Sequence, residues 1–148
     1  MHTVDSFYQA ATGFCKFIRQ YEISLETVDH LMSLLMTLYI KALALPNIEP
    51  ETLGHAYEPN TEAYQIRIDR QIPSVYWMLF DPLEDKDLVA GSISDDLSDI
   101  LHDLQYGIKE YEAGRIGNAV FEWRFGLDNH WGSHAVDLIK FLHALRTI

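Results

Sequence analysis

The last third of the chain, from Arg115 to Arg146, constrains the fold more than any other segment. Its apolar residues recur with a helical period and cover most sides of the resulting helix, so that helix needs packing partners on several sides. We therefore predict one long C-terminal helix at the centre of the molecule, about 45 Å in length if it is unbroken. Gly132 is where we expect a kink, because a glycine weakens a helix interior by about 1 kcal/mol.

Titratable side chains lie on the apolar part of this predicted helix. On a helical wheel, His130, His134 and Asp137 share a face with Trp123 and Leu127. A charged or titratable group in apolar surroundings destabilises a fold unless it is paired or hydrogen-bonded. We therefore expect both imidazoles to point inward and to have partners.

The spacing His-x-x-x-His-x-x-Asp also places three metal-ligating residue types in successive turns of one helix face. Imidazole nitrogen and carboxylate oxygen suit Zn, Fe or Mn. A complete site needs a ligand from another helix, which Asp96, Asp99 or Asp103 would supply. Three interpretations stay open: a buried hydrogen-bonded network with no cofactor, a divalent metal site on the three residues, and catalysis without metal. We prefer the network, because histidine pairs at this spacing are common.

Arg124 lies outside the polar stripe of the C-terminal helix as well. A guanidinium can hold a carboxylate in a bidentate pair, so we expect Arg124 to be largely buried and salt-bridged to Asp96, Asp103 or Asp128. Asp99 lies on the charged side of its own helix, for which solvation is the simplest interpretation. The candidate inward polar cluster for ligand binding consists of Asp96, Asp99, Asp103, Arg124, His130 and His134.

Four other helical segments precede the C-terminal one. The apolar pattern predicts helices over about 4–22, 25–44, 61–71 and 93–113, with Ser24 and either Ser92 or Ser94 as N-caps and Gly114 as a stop. The segment SVYWMLFDP forms either a helical turn or an extended piece. The predicted fold class is all-α: one helical domain over residues 1–148, a compact bundle of about five helices, with no β-sheet in the core.

Aromatic residues are expected mainly in this core. Trp77, Trp123 and Trp131, together with Tyr76 and Phe80, are large side chains whose burial stabilises a domain strongly. The alternative is a ligand pocket lined by these aromatics, since such pockets are apolar with a few polar groups.

The acidic charge of the chain argues against nucleic-acid binding. The net charge is −11, and ten acidic residues against two basic ones lie between Asp81 and Glu112. Nucleic-acid binding needs Lys and Arg to replace counterions, so we do not expect it, whereas a basic protein partner or a cation fits. Solubility alone is the simplest interpretation of the acidic charge. We expect no membrane span and no signal peptide, and the single Cys15 allows no internal disulfide, so the expected location is the cytoplasm.

Four motifs follow one another in the second half of the chain: YW-x-x-FDP at 76–82, SDDLSDILHDL at 94–104, EWRF at 122–125 and HWGSHA at 130–135. Together they resemble a family of small bacterial proteins described only as a domain of unknown function. The resemblance extends from Tyr76 to about Leu142. It implies an all-helical bacterial cytoplasmic protein and no particular activity.

Two hypotheses for function follow. The first is a non-enzymatic, acidic interaction protein, supported by the charge and by the absence of a glycine-rich phosphate loop, a nucleophile elbow and a His-Glu-x-x-His motif. The second is a metal-binding protein or metal-dependent enzyme that uses His130, His134 and Asp137. We prefer the first, with a basic protein as the expected partner and no cofactor.

Overall fold

Five α-helices and one β-hairpin make up the part of the chain that the computed structural model describes, residues 2–51 and 65–148. The predicted all-α class is confirmed. None of these helices is long and apolar enough to cross a membrane. In chain order the elements are α1 (His2–Gln20), α2 (Val28–Leu43), β1 (Val75–Met78), β2 (Val89–Ser92), α3 (Ile93–Glu112), α4 (Ile116–Asn129) and α5 (Trp131–Arg146).

The first two helices bury the apolar faces that their periodicity predicts. Phe7 and Phe14 of α1 and Leu31, Leu35 and Leu38 of α2 are fully buried. Helix α2 begins later than expected, at Val28, and Ser24 does not cap it. Instead the backbone N–H of Ser24 donates to the Thr27 hydroxyl at 2.8 Å, which stabilises a turn before the helix.

The two predicted ends of α3 are confirmed. The Ser92 hydroxyl accepts a hydrogen bond from the backbone N–H of Asp95, which satisfies one of the free donors at the helix start. At the other end Gly114 has a φ of 84°, the left-handed conformation that ends helices at low cost only for glycine. Between these ends Leu97, Ile100 and Leu104 face the core.

The prediction of one long C-terminal helix is wrong, because the chain leaves helical geometry at His130 and forms α4 and α5 instead. The break lets the Trp131 side chain fold back, so that its indole N–H donates to the Trp123 carbonyl at 3.0 Å. Gly132 is not a kink. A Cβ at Gly132 would overlap the Leu127 carbonyl oxygen, so glycine is needed there for the close approach of α5 to the end of α4.

Glycines also allow α3 to approach α4 closely, and α4 to approach α5. A Cβ at Gly107 would overlap the Trp123 indole, and a Cβ at Gly126 would lie 2.6 Å from Cδ1 of Trp131. The Trp123 indole N–H reaches across to the Leu104 carbonyl of α3 at 3.1 Å. Helix α5 also packs against α2, α3 and α4, so the C-terminal segment is central as expected.

Within the segment SVYWMLFDP only Val75–Met78 forms a strand, and this β1 pairs with β2 as an antiparallel hairpin in the register Val75↔Ser92 and Met78↔Val89. Tyr76 is buried, but Trp77 is 71% exposed and Phe80 is 84% exposed, so the expectation that these two aromatics lie in the core is wrong. Trp123 and Trp131 are fully buried, as predicted.

The predicted helix over 61–71 is not formed in its described part, residues 65–71, and 61–64 lie outside the described residues. The backbone there pairs with the link between α1 and α2. The N–H of Ile23 donates to the Arg67 carbonyl, and the N–H of Asp69 donates to the Ile23 carbonyl, each at 2.8 Å. These bonds use backbone groups that a helix would need for its own ladder.

We expect Gly107→Ala to lower the free energy of unfolding by about 1–3 kcal/mol, because the buried Trp123 ring has no space into which it can move. The matched control is Gly13→Ala in α1, where open space surrounds the new methyl group. There we expect a gain of about 0.5–1 kcal/mol from helix propensity. Urea denaturation followed by circular dichroism measures both. Similar shifts in the two variants would contradict the close packing of α3 on α4.

Candidate functional site

Three carboxylates on α3 meet two imidazoles near the start of α5. Asp96, Asp99 and Asp103 are spaced by three and four residues, which places them along one side of the helix. The Nδ1 atom of His130 lies 2.7 Å from Asp103 Oδ2. The Nδ1 atom of His134 lies 2.8 Å from Asp96 Oδ1, and its Nε2 atom lies 3.2 Å from Asp99 Oδ2.

The Asp96 carboxylate is the buried centre of this arrangement, and both of its oxygens have partners. Oδ1 accepts from His134, and Oδ2 accepts from the hydroxyl of Tyr76 on β1. Burial and the Asp96 carboxylate raise the pKa of Tyr76, so the phenol stays protonated and remains a donor. The hydrogen bond to Asp96 also raises the pKa of His134, against the opposing effect of burial.

Asp103 holds the second imidazole in a similar way. Burial raises the pKa of Asp103, and the hydrogen bond from His130 acts in the opposite direction. The His130 and His134 rings lie with their centroids 5.0 Å apart and their planes nearly perpendicular. Each ring is therefore oriented by its own carboxylate, Asp103 for His130 and Asp96 for His134.

One potential ligand atom from each of Asp99, His130 and His134 lies within 4.8 Å of the other two, and no other group of three such residues in the described part of the chain is arranged to hold a metal ion. Since a carboxylate engages Nδ1 of each imidazole, Nε2 is the nitrogen left for another partner. A metal-ligating histidine commonly donates its other ring N–H to a carboxylate in this way. The donor set suits a divalent transition metal.

The structure brings together five of the six residues of the candidate inward polar cluster. Asp96, Asp99 and Asp103 face His130 and His134, and His130 lies closer to solvent than expected, with 46% of its side chain exposed. Asp137, the third residue of the sequence-based metal set, lies outside the group of mutually close ligand atoms.

Arg124, the sixth residue, lies elsewhere. Its Nη1 atom donates to the carbonyls of Leu43 and Leu45 at 3.0 Å each, next to the C-terminal end of α2, where a positive charge is favourable. The predicted ion pair with Asp128 is present at 3.6 Å. The side chain is 22% exposed, so Arg124 is less buried than expected.

A second feature is a groove of about 980 Å³ between the β-hairpin and α5, which we call the hairpin groove. Of the aromatics for which a ligand pocket is the alternative to the core, Tyr76, Trp77 and Phe80 line this groove, and Trp123 and Trp131 do not. Asp137 lies in the wall of this groove, and its pKa is raised by burial and by the neighbouring Asp96. The main walls are formed by Tyr76, Trp77, Phe80, Val136, Asp137 and Phe141.

Comparisons with known proteins identify a family and a fold but no activity. A family model described as "Domain of unknown function (DUF5063)" matches residues 2–147. The crystal structure of protein BF1032 from Bacteroides fragilis is similar with a TM-score of 0.72 and 23% identity, covering 100% of this chain and 97% of that one, which shows a shared fold. No curated protein matches the chain.

Arg124→Ala is expected to lower the free energy of unfolding by about 1.5–3 kcal/mol, because the carbonyls of Leu43 and Leu45 at the C-terminal end of α2 lose a charged donor. Asp128→Ala serves as the control, since it removes only the partly exposed ion pair and should cost less than about 1 kcal/mol. Chemical denaturation of both variants gives the comparison. Equal losses would mean that the ion pair, and not the carbonyl contacts, makes Arg124 important.

Tyr76→Phe should lower the free energy of unfolding by about 1–3 kcal/mol, because one oxygen of the buried Asp96 carboxylate loses its donor. The control is Tyr21→Phe, whose exposed hydroxyl has no hydrogen bond to any described residue; a change within about 0.5 kcal/mol is expected. Thermal and urea unfolding measure both. A loss no larger than that of the control would show that Asp96 does not depend on this hydroxyl.

Proposed function

The chain belongs to the DUF5063 family, a domain of unknown function, and we propose that it binds a divalent transition-metal ion through Asp99, His130 and His134. One observation carries the proposal: a separate carboxylate engages Nδ1 of each histidine, while Nε2 of His134 already lies against Asp99. Both rings are therefore oriented before any ion arrives.

The carboxylates on Nδ1 favour metal binding for two reasons. A hydrogen bond at Nδ1 fixes the tautomer in which Nε2 carries the free electron pair, and it makes that nitrogen a better ligand. Asp96 and Asp103 are both largely buried, so they cannot turn away easily into solvent. The fold therefore orients the ligands in advance, so the binding step does not lose free energy to ordering them.

Three protein ligands leave coordination positions for water or another small molecule. Closed structural zinc sites use four protein ligands, whereas sites that act on a substrate keep a position open. His130 and Asp99 are both partly exposed, so solvent reaches the side from which an additional ligand would bind. Two histidines and one carboxylate are the ligands of open non-haem iron sites and also suit Zn and Mn.

The same geometry also suits a protonated imidazole. The hydrogen bond to Asp96 raises the pKa of His134, and a protonated ring would donate from Nδ1 to Asp96 and from Nε2 to Asp99. Metal binding then releases the Nε2 proton, because an imidazole ligates as its neutral form. Asp99 takes the role that the sequence pattern suggested for Asp137, since its oxygen is the one beside the imidazole.

We expect protein prepared without a histidine tag to contain near-stoichiometric Zn, Fe or Mn, measured by mass spectrometry of the metals. A chelator should remove the ion and lower the melting temperature, because an ion that binds only the folded state stabilises it. His134→Gln, His130→Gln and Asp99→Asn should each abolish stoichiometric binding. Asp103→Asn, which changes only the orientation of His130, should weaken affinity about 10–100-fold.

The matched control for these variants is His143→Gln, because His143 is an exposed histidine on α5 outside the cluster. It should keep full metal content. A native protein that is free of metal, takes up none of the three ions on addition and shows no change in melting temperature with chelator would refute the proposal. The His–Asp contacts would then form a structural hydrogen-bonded network.

A second candidate function is that of a non-enzymatic interaction protein. The hairpin groove favours it, because the large apolar side chains of Trp77 and Phe80 line this groove and are exposed in the folded chain. Exposed apolar surface next to a groove is typical of a binding site, because soluble proteins otherwise keep such patches small. This function does not exclude metal binding, since the groove and the metal ligands use different residues.

A further inference from the structure

Building on the second candidate function, we propose that the hairpin groove binds a basic segment of another protein. Apolar side chains of that segment would lie between β1 and α5, and one of its Lys or Arg residues would lie beside Asp137. The proposal depends on the apolar surface, on the charge around it and on the surroundings of Asp137.

The apolar surface is larger than the groove. Trp77 and Phe80 stand on one side of it, and Leu83 in the loop between the strands is 93% exposed. On the other side Val136 continues the surface into a shallow apolar depression that it shares with Ile40 of α2. Exposed tryptophan and phenylalanine beside a groove are the residue types that anchor protein interfaces.

The charge in and next to this surface is acidic on balance. The charged residues that line the groove are Asp128, Asp137 and Lys140. The loop between Pro82 and Leu88, which both line the groove, carries Glu84, Asp85 and Asp87 against Lys86. The Lys86 ammonium is already paired with Glu84. A partner with lysine or arginine beside its apolar residues would therefore be attracted, and an acidic partner would be repelled.

This charge also decides against a second copy of the chain as the occupant. Each chain has a net charge of −11. A symmetric dimer through the hairpin groove would place the two acidic loops close to the same interface, and like charges in contact oppose association. A basic partner of another sequence removes that repulsion.

Asp137 gives the groove a specific position for a positive charge. Its carboxylate is partly buried in the groove wall and has no hydrogen bond or ion pair with any described residue. The negative Asp96 lies close to it and raises its pKa, while the His134 imidazole acts in the opposite direction. A guanidinium or ammonium from the partner would give this carboxylate the direct ion pair that it lacks within the described chain.

Two synthetic helical peptides of about 18 residues test the proposal, because such a length presents several turns of one apolar face to a groove. Both carry the same leucine and tryptophan face; one has lysine at the remaining positions and the other has glutamate. Fluorescence anisotropy at low salt measures their binding to the full chain. We expect the lysine peptide to bind at least about tenfold more tightly, with a preference that falls as salt is raised.

Variants show where the peptide binds and separate the apolar contribution to its affinity from the electrostatic one. Trp77→Ala, at an exposed site, should weaken binding of the lysine peptide at least about tenfold. The double change Asp128→Asn and Asp137→Asn should reduce the preference for lysine over glutamate. Its matched control removes the same charge at Glu22 and Glu26, two exposed residues that do not line the groove, and should leave the preference nearly unchanged.

The outcomes distinguish the partner class from the interaction function itself. Equal binding of both peptides, lost in Trp77→Ala, would overturn the basic partner and keep the groove as an interaction site. Binding of neither peptide would overturn both. Analytical ultracentrifugation of the chain alone covers the remaining case: a dimer that Trp77→Ala dissociates would identify a second copy as the occupant and refute the proposal.

Discussion

The close approach of α3 to α4 and α5 is the constraint on which the candidate site depends. Two fully buried tryptophans fill the space above glycines, Trp123 over Gly107 and Trp131 over Gly126. Both indole N–H groups donate to backbone carbonyls, so neither burial leaves a polar group unsatisfied. A larger residue at either glycine would separate the helices. Trp123 joins α4 to α3, and Trp131 joins α5 to α4 at a glycine that also lies beside Asp103. The distance between the carboxylates of α3 and the imidazoles of His130 and His134 is therefore set by this packing.

The sequence predicts the partners in this site better than it predicts the backbone that carries them. Asp96 and Asp103 follow from their place at the edge of the apolar stripe of α3, whereas the pattern favours solvation for Asp99, which nevertheless contacts His134. The break at His130 does not follow, since the apolar residues of α4 and α5 continue in phase across it. The sequence does not predict the role of Gly132 either, because a close approach of two backbones depends on tertiary packing and leaves no periodic pattern in the sequence.

The exposure of Trp77 and Phe80 on the β-hairpin departs from the sequence-based expectation, and its cause is the composition of this segment. The segment around Tyr76 and Trp77 is apolar at successive positions, so it shows no alternation between buried and exposed residues. Pairing with β2 nevertheless turns Tyr76 inward and Trp77 outward. Apolar residues are usually assigned to a core, and an exposed interaction surface has the same composition as a core. Only the strand register shows which of these apolar residues face the core and which face solvent.

Tyr76 connects the two proposed sites. Its ring lines the hairpin groove and stacks on Phe141 with centroids 4.6 Å apart. Its hydroxyl holds Asp96, whose other oxygen holds His134. An occupant of the groove that moves the Tyr76 ring therefore changes the orientation of a proposed metal ligand. Because coupling between two binding equilibria is reciprocal, a metal at His134 would change the affinity of the groove by the same factor. The buried Asp96 carboxylate is thus the physical link through which one site would affect the other.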